Sequence, residues 1–133
     1  MSQESLKSLV EANAYFYETF ARGDADVMKT LWAEREDITC IHPGWGAVTG
    51  RDAVIRSWEM VLENQPNIRC GRPEGFLVGD VGYVICLEEL GEGRLVATNL
   101  FILEDNHWKL IHHQAGVTRP ADNDPVSGTH PIH

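Results

Sequence analysis

The stretch Ala97-Thr-Asn-Leu-Phe-Ile-Leu-Glu-Asp-Asn-His-Trp-Lys-Leu-Ile-His-His-Gln-Ala115 decides the fold. Two apolar runs flank Asp105-Asn106, a dipeptide suited to the positive φ angles of a two-residue hairpin turn, so the stretch reads as two antiparallel strands. The second strand ends in His112 and His113. Successive strand side chains point to opposite faces, so one imidazole faces each side of the sheet. The one facing the core is either a hydrogen-bonded structural element or the centre of a ligand pocket.

Upstream, helices come first. Leu6, Leu9, Val10, Asn13, Phe16, Tyr17 and Phe20 follow the spacing of one helical stripe, closed by Gly23. Asp24 reads as the N-cap of a short second helix carrying Val27, Met28, Leu31 and Trp32. A short strand over 37–42 stops at Pro43-Gly44, and 47–49 returns as its partner. A third helix over 51–63 carries Val54, Ile55, Trp58, Val61 and Leu62. Strands then follow over 68–73 and 75–78, bent near Arg72-Pro73, and over 81–90, 94–104 and 107–117. Helices followed by consecutive antiparallel strands make an α+β chain. Residues 1–118 form one domain, and 119–133, rich in Pro, Asp, Gly and Ser, read as a mobile tail or one docked on a neighbouring subunit.

The two turns set a register. A two-residue turn at Asp105-Asn106 pairs Asn99 with His112, and a three-residue turn at Gly91-Glu92-Gly93 pairs Ile85 with Asn99. One face then carries Tyr83, Ile85, Leu87, Ala97, Asn99, Phe101, Leu103, Trp108, Leu110, His112 and Gln114; the other carries Val84, Cys86, Glu88, Val96, Thr98, Ile111 and His113. Both faces are apolar, which predicts that helices cover one and a second copy of the chain covers the other: a homodimer through the outer sheet face.

Among the 133 residues, twenty acidic against eleven basic give a net charge of −9, which argues against nucleic acid or an anionic membrane as partner. No apolar run approaches a membrane span, and the start lacks a signal-peptide pattern, so cytoplasmic residence is the expectation. Cys40, Cys70 and Cys86 lack CxxC spacing and read as small buried hydrophobes. No metal site is expected, since His112 and His113 face apart and at most two of His42, His112 and His113 can meet.

The helix ending in Phe-Ala-Arg-Gly-Asp-Ala-Asp, together with Cys40-Ile-His-Pro-Gly-Trp, Gly50-Arg-Asp-Ala-Val-Ile-Arg-Ser-Trp58 and Thr98-Asn-Leu-Phe…Trp108-Lys-Leu-Ile-His-His113, resembles the SnoaL-like branch of the NTF2-like superfamily. The resemblance covers roughly residues 5–118. It implies a cystatin-like cone, with N-terminal helices packed in the concave face of a curved antiparallel sheet that dimerises through its outer face. Its members include ketosteroid isomerases, polyketide cyclases and scytalone dehydratase, but also non-enzymatic association domains. Isomerase and cyclase members use a pocket carboxylate as base. No carboxylate of this chain matches it: core-facing Asn99 is an amide, Glu88 and Glu89 lie near a hairpin end and are expected to be solvated, and Asp37 reads as a turn or cap residue.

The candidate site therefore rests on imidazoles. His112 and His42 are the candidate acid–base groups, with Tyr83, Asn99, Phe101, Trp108, Gln114 and Trp45 as the ligand pocket and Tyr83 able to donate to an oxyanion. Against this stands a purely structural pairing of His112 with Asn99. Trp32 and Trp58 read as core, His113 as structural on the dimer face, Asn13 as a pocket amide or loop cap, and Arg72 as solvated. Two functions follow. One is a cofactor-independent isomerase, dehydratase or cyclase acting on a small, largely apolar carbonyl or hydroxyl compound. The other is a non-catalytic ligand-binding or dimerisation domain.

Overall fold

The computed structural model describes residues 2–64 and 67–119. Three helices, α1 (Ser2–Arg22), α2 (Ala25–Thr30) and α3 (Arg51–Leu62), pack on a six-stranded sheet. Its strands are β1 (Thr39–Ile41), β2 (Val48–Thr49), β3 (Ile68–Val78), β4 (Val81–Leu90), β5 (Gly93–Glu104) and β6 (His107–Val117). The expected 119–133 tail lies outside the described residues beyond Arg119, which is exposed coil.

Helix α1 ends as its sequence dictates. Gly23 adopts φ 68°, and the Gly23 and Asp24 amides bond back to Phe20 and Thr19 carbonyls at 3.0 and 3.3 Å. Asp24 then caps α2, its carboxylate accepting from the Val27 amide at 3.1 Å. The stripe residues Leu9, Asn13, Phe16, Tyr17 and Phe20 are all buried. Helix α1 approaches the sheet closely at Gly82, where a Cβ would stand 2.9 Å from the methyls of fully buried Leu9. Glycine permits that approach.

Strand order is β2-β1-β6-β5-β4-β3. The sheet is mixed rather than wholly antiparallel, because β1 runs parallel to β6, with Thr39, Cys40 and Ile41 opposite His112, His113 and Gln114. The segment leading into β1 is zipped to the same strand, as the Leu110 amide donates to Leu31 O at 2.8 Å and the Ala33 amide to Leu110 O at 2.9 Å.

Two details of register correct the sequence expectation. The β4–β5 turn has two residues, Gly91-Glu92, so Leu90 pairs with Gly93 and Val84 with Asn99; Gly91 supplies the positive φ, 61°, that so short a turn requires. The β5–β6 turn at Asp105-Asn106 has the expected length, with both residues at positive φ. Beyond it, however, Ile111 is an extra residue: Phe101 pairs with Leu110, but Leu100 pairs with His112 and Asn99 with His113. A bulge of this kind reverses the facing of every residue after it. Val84, Cys86, Glu88, His113 and Ala115 consequently turn inward beside Ala97, Asn99 and Phe101 and are buried.

Trp58 of α3 stands at the centre of the core. Its ring meets Phe16, Phe20, His42 and His113 with centroids 4.7 to 5.5 Å apart. Its indole nitrogen and that of Trp32 are enclosed without a hydrogen-bond partner.

Candidate functional site

The corrected register brings a carboxylate into the core. Glu88, on β4, follows Val84 and Cys86 along the inward row and is 2 % exposed. Strand β5 contributes Asn99, β6 contributes His113, and α1 contributes Asn13 and Tyr17 from one helical face.

These side chains form one hydrogen-bonded network. The Tyr17 phenol donates to Glu88 Oε2 at 2.7 Å. Asn99 Nδ2 donates to Asn13 Oδ1 at 2.9 Å and to the Tyr17 oxygen at 3.1 Å. Asn99 Oδ1 faces His113 Nδ1 at 2.6 Å. The periphery is softer, with the Cys86 thiol 3.5 Å from the Tyr17 oxygen and the Asn13 amide 3.6 Å from Cys70 Sγ.

Burial governs the charge states. It pushes the Glu88 carboxyl up to about 7, against which the Tyr17 hydrogen bond works in the opposite direction. Burial, then the neighbouring Glu88 charge, holds the Tyr17 phenol well above its ordinary range. His113 is driven down to about 3, first by burial and then by the neighbouring imidazoles His42 and His112. Its Nε2 lies 3.7 Å from Glu88 Oε2. The pair is not ionic, since the fully buried imidazole stays neutral wherever the carboxylate is charged.

His42 closes the group from the end of β1. Its Nε2 lies 2.9 Å from Ser57 Oγ and 3.5 Å from Cys40 Sγ, and its ring packs edge-on against Trp45 and Trp58. Burial lowers its titration to about 4. Glu88, His113 and His42 all line a cavity of about 430 Å³, whose walls include Phe20, Trp45, Val61, Ile68, Leu90 and Leu95. That is an apolar, ligand-sized chamber with a few convergent polar groups. A larger crease, about 750 Å³, lies between α2 and the β5–β6 turn beside Arg51 and Lys109. It holds no buried titratable group, and the Arg51 guanidinium there already serves the Lys29, Trp32 and Ala33 carbonyls. The buried titratable groups line the smaller cavity.

Of the residues singled out in the sequence, His42 and Trp45 line the cavity and Asn99 lies in the network behind it. Phe101 is inward core, and Trp108, half-buried, bonds Ser8 Oγ at 3.0 Å near the start of α1. His112, Tyr83 and Gln114 stand on the opposite sheet face, turned there by the bulge and the shorter turn. His112 Nδ1 meets Thr39 Oγ1 at 2.6 Å, Tyr83 stacks on Phe76, and Gln114 is exposed. The expected His112–Asn99 pair is replaced by His113–Asn99, so His113 is the core histidine rather than a dimer-face residue. Glu88 is buried rather than solvated, whereas Glu89 faces out to Arg69 at 2.7 Å. Asp37 is exposed and paired with Arg35. Asn13 points inward. The α1 stripe includes Tyr17 without assigning its hydroxyl a role, and no local pattern marks Ser57 as a polar core group. Among the described residues no three His, Cys, Asp or Glu side chains gather as a metal-ligand set, and no helix is long and apolar enough to cross a membrane.

Comparison with known proteins gives the geometry its context. An NTF2-like protein of Streptomyces avermitilis, provisionally named a dehydratase, superposes with a TM-score of 0.80 at 27 % identity over 90 % of this chain and 100 % of that one. An NTF2-like protein of unknown function from Pseudomonas putida superposes with a TM-score of 0.77 at 15 % identity, covering 98 % and 99 % of the two chains. The F-box protein SKIP8 of Arabidopsis thaliana is 22 % identical over 124 residues, which are 90 % of this chain and 54 % of that protein, so the chain spans about half the length of that relative. The SnoaL-like domain model matches residues 9–120. The α+β cone and this match across most of the sequence together establish that the chain belongs to the SnoaL-like domain family.

Proposed function

We propose that the cone binds a small, largely apolar hydroxyl or carbonyl compound and that Glu88 transfers protons on it without a cofactor, in a dehydration or isomerisation. The observation that carries this reading is a buried carboxyl titrating at about 7 on the wall of an otherwise apolar cavity. Such a group is balanced between base and acid at neutral pH. In a dehydration, the Glu88 carboxylate takes a carbon-bound proton from the substrate. The resulting acid returns it to the departing hydroxyl, which leaves as water, and Glu88 is a carboxylate again. In an isomerisation the proton returns to carbon at a second position. Tyr17 and the Asn99 relay orient the carboxyl, and His42 stands across the cavity as a neutral hydrogen-bonding partner. Support also comes from the provisionally named dehydratase with the same fold at 27 % identity.

A thermal-shift screen with small apolar alcohols and ketones tests the reading. Hits are expected, and they should be lost in Glu88→Ala or His42→Ala while persisting in His112→Ala, which alters only the outer face. Absence of any hit would favour the scaffold function instead.

The outer sheet face, with Ile85, Val96 and Val78 exposed beside the Phe76–Tyr83 stack, is proposed as a homodimer interface. Sedimentation at micromolar concentration is expected to give twice the chain mass. Ile85→Asp should yield monomers, and a wild-type monomer would refute the interface.

A further inference from the structure

The hydrogen bonds at the cavity floor determine which of its polar atoms carry protons. Ser57 Oγ donates to Val54 O at 2.7 Å, so it accepts from His42 Nε2–H, which leaves Nδ1 of the neutral ring as a bare lone pair. Asn99 uses Nδ2 toward both Asn13 and Tyr17, so its Oδ1 accepts from His113 Nδ1–H, which leaves His113 Nε2 bare. Tyr17 donates its only proton to Glu88 Oε2. Among the described residues Glu88 Oε1 accepts no hydrogen bond, and the only sealed, unpartnered polar side-chain atoms are the two indole nitrogens. Glu88, His42 and His113 line the cavity, and among the described residues Glu88 Oε1, His42 Nδ1 and His113 Nε2 have no hydrogen-bond partner. Apart from the engaged His42 and His113 N–H groups, the side-chain N–H groups of the described lining residues belong to Asn64 and Trp45, both exposed, and none of these residues is Lys or Arg.

We propose that with Glu88 ionised this floor is acceptor-only and selects a ligand whose polar end is a hydroxyl over the ketone of the same skeleton, and that protonation at Glu88 Oε1 abolishes the preference. The inference rests on the cavity being the site of the small apolar compound, and it names that compound's polar end. A ketone offers only lone pairs, which would face three lone pairs with no donor between them; a hydroxyl supplies the missing proton. The hydroxyl is also the group that departs in the dehydration. Because Oε2 is held by Tyr17, the acid proton sits on Oε1, where it becomes a donor to a carbonyl.

The groups facing Glu88 are Tyr17 from α1, Cys70 from β3, Cys86 on β4 itself, Asn99 from β5, His113 from β6 and His42 after β1. His42 and His113 are held at about 4 and about 3 and Tyr17 well above its ordinary range, so all three stay neutral between pH 5.5 and 8.5. Glu88, at about 7, changes charge inside that window.

Calorimetric titration of the full chain with 1-indanol and 1-indanone provides the test. At pH 8.5 the alcohol is expected to bind about tenfold more tightly, the equivalent of one hydrogen bond to a charged group. At pH 5.5 the ratio should fall toward one. Glu88→Gln, whose amide adds a donor, should show a ratio near one at both pH values. Equal binding of the two compounds at pH 8.5 would overturn the selectivity and leave the cavity reading intact. So would a preference that persists at pH 5.5, or one that still varies with pH in Glu88→Gln, where the Cys86 thiol, lowered first by its hydrogen bond with Cys70, would be its source. Binding of neither compound at either pH would overturn both.

Discussion

Replacing Glu88 with glutamine is expected to stabilise the protein by about 3 kcal/mol at pH 8.5 and to leave its stability unchanged at pH 4 to within about 0.5 kcal/mol. The sign follows from burial. The folded carboxyl titrates at about 7 and an ordinary one at 4.5. Below 4.5 both states hold the proton, and burying the neutral acid carries no charge penalty. Between 4.5 and 7 the unfolded chain ionises while the folded one does not, so this group's contribution falls as pH rises. Above 7 the whole penalty is present, and glutamine never incurs it. Denaturant melts of wild type and variant at the two pH values give the difference directly. The same substitution should lower turnover of an identified substrate by roughly 10²- to 10⁴-fold, the usual contribution of a positioned acid–base group. Greater stability combined with lost activity would mark Glu88 as a functional residue held against the interest of the fold.

His42 and His113 act in the opposite direction. Their folded titrations are depressed to about 4 and about 3, so their contribution is present above an ordinary imidazole's 6.5 and is lost as pH falls through those lower values. The three groups together place maximum stability near neutrality and make acid unfolding a matter of protonating two buried imidazoles.

Asn99→Leu is expected to destabilise the fold by roughly 3 kcal/mol or more, a large effect for a single core position. Asn99 is completely buried and serves three partners at once: His113 Nδ1–H, Asn13 Oδ1 and the Tyr17 oxygen. Leucine fills similar space but leaves His113 Nδ1–H and Asn13 Oδ1 without a partner and strips the Tyr17 oxygen of one donor, and each orphaned buried group costs about 1–3 kcal/mol before relaxation. Chemical denaturation measures the total. Because the partners belong to one network, the losses in Asn99→Leu and Asn13→Ala should not add in the double variant; additive losses would mean that the amides act independently. The ¹⁵N shifts of His113 provide a second check, since without Asn99 nothing pins its proton to Nδ1.

How far the sequence could be read depends on the range over which its signals act. The α1 stripe with Gly23 and Asp24, the α3 stripe, and the Asp105-Asn106 turn are local patterns, and each forms the element it predicts. Which side of the sheet a residue faces depended instead on two single residues. Gly93 reads equally well as the third residue of a turn or the first of a strand, and Ile111 looks like any other β-branched strand residue although it is the bulge. Both errors shift facing by one position, and together they exchanged His112 for His113 and hid Glu88. The alternation Val84, Cys86, Glu88 carried the correct answer once the turn is taken as Gly91-Glu92. Tyr17 was legible as part of the helical stripe, but its hydroxyl had no visible purpose until Glu88 stood opposite it. Asn99 faces the core as its strand position predicts, whereas its partner depends on the bulge. His42 and Trp45 were accessible because Pro43-Gly44 confines them to a strand end, where loops rim cavities.

Glu88 is proposed to be a buried proton carrier on the cavity wall. The side-chain carboxyl ¹³C resonance of Glu88, followed from pH 4 to 9 in the wild-type protein and assigned by its absence in Glu88→Gln, tests it most directly. A titration midpoint of about 7 is the predicted result. A midpoint near the 4.5 of a solvated glutamate would contradict the account.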